Sequence, residues 1–211
     1  MSSVLDQLAS ALGRNDEEPN VELAEKLAAS PDKAAIAELV AALKTGTIAV
    51  ANDAIKVLYE LGEHRPELIA DCADAFFATL LSKNNRLVWG GMSALDTIAT
   101  VSAPALAKRL PEILAAADKG SVIAKDKAVS ILAKLAGAGH GDKSLPALFA
   151  MVETAAVNQL PMYAEMAAPA IDRSHQAAFT AIITKRLQTI EQPAKRARLE
   201  KLLRKLAKSA S

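Results

Sequence analysis

Aromatic residues make up only 3% of this 211-residue chain, and Trp89 is its single tryptophan. A sheet core of this size draws on Val, Ile, Tyr and Phe, so the scarcity argues against strands. Cysteine is scarcer still: Cys72 stands alone and cannot form an internal disulfide. A reducing, cytoplasmic setting is the expectation. No run approaches the roughly 18 uninterrupted apolar residues that a membrane span requires. The start, MSSVLDQLASALGRNDEE, lacks the basic opening and continuous apolar stretch of a signal peptide. A net charge of +1 supplies no global field toward nucleic acid or membrane.

What the chain does have is 51% hydrophobic residues, dominated by Ala and Leu. Such small and unbranched side chains suit closely packed helices. The apolar residues also repeat. AIKVLYELG (Ala54–Gly62), GMSALDTIA (Gly91–Ala99) and AVSILAKLA (Ala128–Ala136) begin 37 residues apart and share one stripe. Their positions 1, 4, 5 and 8 fall on a single helix face. Thr47, Asn84, Ser121 and Asn158 recur at the same 37-residue spacing. Each can accept from an orphan N–H at a helix start, so each is an expected N-cap.

A second stripe precedes each cap: Ile36, Leu39, Val40, Leu43; then Ala73, Phe76, Phe77, Leu80; then Leu110, Ile113, Leu114, Ala117. Weaker copies of both stripes continue to Leu206. Each unit is therefore a helix, a tight turn and a second helix, and such pairs must stack to cover their apolar faces. Short helical segments near Val4–Leu12 and Val21–Ala29, joined by the turn NDEEPN, precede them.

These stripes and caps resemble those of the HEAT-repeat and armadillo-like family, over roughly residues 31–208. The resemblance implies an all-α, right-handed α-solenoid of about five stacked antiparallel helix pairs. Residues 1–30 would form an N-terminal cap and the basic last helix a C-terminal one, within a single domain spanning 1–211.

Elements of possible chemistry are sparse. GAGHGDKS (Gly137–Ser144) nearly matches the phosphate-loop pattern, but Asp142 replaces the second glycine and a helix, not a strand, precedes it. It reads as an inter-repeat loop, and no nucleotide is expected. His64, His140 and His175 fall in separate connections without a second ligand at i+3 or i+4, so no metal or cofactor is expected. Asp71 and Asp74 share a helix face and read as solvated carboxylates. The chain is expected to be non-enzymatic.

In the resembled fold the second helices line a concave surface. Residues that their core stripes leave over are Asn52, Lys56 and Tyr59, then Arg86, Trp89, Ser93 and Asp96, then Asp126 and Ser130. These form the candidate surface for a protein or peptide partner. Trp89 is its centre, because tryptophan and arginine are enriched among binding hot spots. Gly90 and Gly91 beside it are expected to leave a shallow pocket.

Charge is unevenly distributed. Residues 181–211 hold nine Lys or Arg and two Glu. Lys195, Arg198, Lys201, Arg204 and Lys205 make the last helix a candidate polyanion surface as well as a cap. The leading functional reading is an interaction scaffold. The alternative is nucleic-acid binding on a DNA-glycosylase-like HEAT fold, through that basic helix and Trp89.

Overall fold

The computed structural model describes residues 3–210, and no strand occurs among them. Twelve α-helices follow in order: α1 (Glu18–Ala29), α2 (Lys33–Thr45), α3 (Ile48–His64), α4 (Ala73–Thr79), α5 (Asn85–Ile98), α6 (Ala103–Lys108), α7 (Leu110–Lys119), α8 (Val122–Leu135), α9 (Gly141–Thr154), α10 (Leu160–Ala167), α11 (Gln176–Leu187) and α12 (Pro193–Ala210). The chain divides into two compact units, one up to Ala128 and one from Val129. The first carries a net charge of −5 and the second +6.

In the first unit α3 packs against α1, α2 and α5, and α4 packs against α5. The repeat stripe supplies the core: Leu58 and Leu95 are each 0% exposed, as is Leu132 at the equivalent position in the second unit. Close approach of α5 to its neighbours depends on two glycines. A Cβ on Gly90 would lie 2.8 Å from Ile55 of α3, and one on Gly91 would collide with Thr79 of α4. The space that the two glycines leave is therefore taken by Ile55 and Thr79 and is not left open as a pocket there.

Three of the four expected caps form. Thr47 accepts from Val50 N–H, Asn84 from Arg86 N–H, and Ser121 from Ala124 N–H. Asn158 does not cap. α10 begins two residues later with Pro161 in its first turn, and the Asn158 side chain accepts from Lys195 instead. The connection after Ala99 is also richer than expected. Pro104 and Pro111 each open a helix, so the segment folds as α6 and α7 joined at Arg109.

Two further expectations are corrected. The N-terminal segment opens as a 3-10 turn, Val4–Gln7, and α1 starts at Glu18, inside the stretch read as a turn. GAGHGDKS is not a loop throughout: residues Ala136–His140 form a π-type turn, with Gly139 at φ 89°, and Gly141 already opens α9. A positive φ strains any side chain bearing a Cβ, so glycine suits that position. Lys143 and Ser144 lie in the first turn of a helix that follows a helix, not in a phosphate cradle after a strand.

Arginine closes several helix C-termini. Arg65 donates to the Ala28 carbonyl near the end of α1. In the second unit Arg186 of α11 donates to the carbonyls of Val152, Glu153 and Ala155 at the end of α9. Arg196 of α12 likewise donates to Leu187 and Ile190 after α11. These are carbonyls that the helix itself leaves without partners.

Candidate partner-binding surface

Helices α3 and α5 bring Tyr59 and Trp89 side by side, with ring centroids 6.0 Å apart and planes tilted by 52°. Both rings are half-buried. Each carries a cation from its own helix, one turn back. Lys56 Nζ lies 4.9 Å from the Tyr59 centroid, and the Arg86 guanidinium lies 5.7 Å from that of Trp89. Cations so placed are attracted to the negative ring face.

Two carboxylates complete the cluster. Glu60, a turn beyond Lys56, accepts from it at 2.5 Å. Glu17, immediately before α1, places one oxygen on Arg86 Nη2 and the other 3.4 Å from Lys56 Nζ. Burial opposes the charge on Lys56, yet its bonds to Glu60 and Tyr59 hold its pKa above the ordinary lysine value. Burial also pushes the Tyr59 phenol up, although Lys56 pulls the other way.

The segment bearing Glu17 is tied down beneath the cluster. Asp53, on α3, accepts from Ser10 N–H and from the Asn20 side-chain amide, each at 2.8 Å. Asn20 in turn accepts from Ala9 N–H at 3.0 Å. Asn20 is fully buried and Asp53 nearly so. This network fixes both ends of the stretch containing Glu17, whose own side chain remains 39% exposed.

The other candidate residues divide. Asn52 accepts from Asn84 at 2.8 Å, joining α3 to the cap of α5. Ser93 and Asp96 are each only 4% exposed, which removes them from a partner-facing surface. Ser93 donates to the Trp89 carbonyl, and Asp96 accepts from Lys127 at 3.1 Å. Helix α5 is rotated so that this side of it meets its neighbours. Asp126 and Ser130 are half-buried on α8. Glu17, Glu60 and Lys127 had no place in the sequence-based set. Glu60 was accessible to an i, i+4 argument from Lys56, whereas Glu17 lies 69 residues from Arg86 and gave no sequence signal.

On α12, Lys195 and Arg198 are engaged internally. Arg198 grips Glu165 with a two-pronged contact at 2.9 and 2.5 Å, and Lys195 donates to Asn158 and Gln192. Lys201, Arg204, Lys205 and Lys208 are exposed. With Arg198 they border a groove of about 640 Å³ over Leu202, Leu206, Ala168 and Pro169.

Other polar residues singled out in the sequence lie apart from both surfaces. Asp74 is bonded by Arg109, which also grips Glu112 and covers the Phe77 ring at 3.6 Å. His175 bonds Asp172 at 2.8 Å at the start of α11, and His64 is exposed at the end of α3. No cluster able to hold a metal ion occurs among the described residues, and no helix there is long and apolar enough to cross a membrane.

No protein-family model and no curated relative matches the chain. Solved structures do. A designed armadillo repeat protein in complex with the peptide (KR)4 is similar at a TM-score of 0.67 and 16% identity, with 100% of both chains covered. An engineered protein gives 0.63 and 19%, covering 100% of this chain and 98% of its own. A second designed armadillo repeat protein gives 0.62 and 17%, over 96% and 99%. Likeness at such low identity and near-complete coverage is likeness of backbone: this chain has the armadillo-like, all-α solenoid fold.

Proposed function

We propose that the protein is a non-enzymatic scaffold that holds a protein or peptide segment on the Tyr59–Trp89 face of α3 and α5, the concave side of the repeats. The observation that carries this reading is the half-buried aromatic pair, partly open and framed by Lys56 and Arg86. Rigid aromatic anchors beside arginine are typical of residues that dominate binding energy. The peptide held by the similar designed armadillo protein supports the same use of the fold.

Capture of partners from the native cell, with and without Trp89→Ala, tests it. The expected outcome is a partner lost in the variant while stability changes by less than about 1 kcal/mol. Undiminished capture, or a stability loss of about 3–5 kcal/mol, would make the indole a packing residue.

A second reading attaches to the second unit. The cations around the α12 groove suit a polyanion such as nucleic acid, and binding there would weaken steeply with salt.

A further inference from the structure

We propose that the Tyr59–Trp89 face takes an acidic segment of its partner, whose carboxylate displaces Glu17 from Arg86 and Lys56. The inference rests on that face being the binding surface and assigns the chemistry of what it binds.

The charge arrangement carries it. Both aromatic rings already have a cation over them, supplied by Lys56 and Arg86. An incoming lysine or arginine would compete with these cations for the rings and be repelled by them. A carboxylate would instead meet two converging donors. The designed neighbour binds the cationic peptide (KR)4, so this site has the opposite preference on a shared fold.

Glu17 shows the pose. Its two oxygens divide between Arg86 Nη2 and Lys56 Nζ, as a ligand carboxylate would. It stands at the N-cap position of α1 but makes no capping bond there, so its carboxylate is not tied to its own helix by a hydrogen bond. It also uses Arg86 incompletely. Arg86 Nε is buried with no acceptor among the described residues. A partner carboxylate that also turned the guanidinium enough to expose Nε would engage Nε and Nη2 together, the stronger geometry for this pair.

Displacement requires little movement. The Asp53–Asn20–Ala9 and Asp53–Ser10 bonds hold the flanking backbone, so rotation of the exposed Glu17 side chain uncovers the site. Once it turns away, Lys56 keeps its bond to Glu60, and no second carboxylate is paired with Arg86 among the described residues. Glu17 thus acts as a resident competitor, and a competitor seated nine-tenths of the time lowers apparent affinity about tenfold.

The single tryptophan reports directly on the site. Titrate tetraglutamate, and separately the peptide (KR)4, into the full chain at low salt while following Trp89 emission. Glu17→Gln should raise tetraglutamate affinity about tenfold, and Arg86→Gln added to it should abolish the response. Glu18→Gln is the control, because Glu18 removes the same charge next door but pairs with Arg14. Its affinity should match that of the unaltered chain.

An equal gain in Glu18→Gln would reduce the effect to net charge and overturn the proposal. A Trp89 response to (KR)4 but not to tetraglutamate would overturn the acidic preference and leave the binding face standing. Silence toward tetraglutamate in Glu17→Gln, with far-UV circular dichroism unchanged, also overturns it. Trp89-dependent capture of a cellular partner then decides the broader reading separately.

Discussion

Replacing Asp53 by Ala removes the acceptor that ties the N-terminal segment to α3. Two donors lose their partner, the Ser10 N–H and the Asn20 amide, each now at 2.8 Å. A buried donor left unsatisfied costs about 1–3 kcal/mol. Asn20 is 0% exposed, so its amide has no route to water and sits toward the upper end. Ser10 is half-buried, and its N–H recovers part of the loss through solvent. The sum is about 3 kcal/mol. Asp53→Asn keeps one acceptor oxygen and should lose about half as much. Ser10→Ala keeps the backbone bond and removes only a buried hydroxyl that has no partner among the described residues, so it should stay within about 0.5 kcal/mol. Urea unfolding measures the global term. Because stacked repeats can fray from one end, amide exchange at Ala9 and Ser10 must be followed as well. Less than about 1 kcal/mol lost by Asp53→Ala, with Ala9 and Ser10 still protected, would refute the anchoring role.

Leu95→Ala should cost about 2–5 kcal/mol by opening a cavity beneath the repeat stripe, and urea unfolding showing under 1 kcal/mol would place Leu95 outside the core. Reversing Arg198, Arg204 and Lys205 to Glu should abolish retention of the chain on heparin at low salt, and unaltered retention would leave α12 a cap only. Hydrogen bonds from Ser174 and His175 hold the Asp172 carboxyl at about 2, below the 3.8 of an ordinary aspartate. A lowered pKa means that the contribution is present above pH 4 and fades as pH falls from 3.8 toward 2. Carboxyl NMR shifts of Asp172 titrating near 4 would contradict this. Lys143→Ala should change neither stability nor nucleotide binding, and calorimetric ATP binding lost in that variant would reinstate a phosphate site.

The helices were legible because their determinants are local. A stripe at 3.6-residue spacing, or a hydroxyl two or three residues before an N–H, needs no knowledge of distant chain. Asn158 shows where this ends: the residue type was right, but Lys195, 37 residues on, takes its side chain. Ser93 and Asp96 were assigned to the surface by their place on an ideal helical wheel. The actual rotation of α5 is set by Gly90 and Gly91 meeting Ile55 and Thr79, a long-range fit that no periodicity encodes. Trp89, Arg86, Tyr59 and Lys56, four of the residues grouped from position alone, do lie together. The carboxylate that completes them arrives from a segment outside the repeats.

The arginines at the helix ends bear on how this chain can be re-engineered. Consensus solenoids tolerate deletion or duplication of whole units because each meets only standard neighbours. Here Arg186 on α11 closes α9, and Arg196 on α12 closes α11. Excising α11 would strip α9 of its terminal donor and leave Arg196 facing the wrong partner. At Arg186 lysine is a poor substitute, because Nη1 and Nη2 divide among three carbonyls and a single ammonium lacks that flat fork. The units in this half of the chain are thus serially dependent, and a shortened or lengthened version must carry each arginine along with the helix it serves.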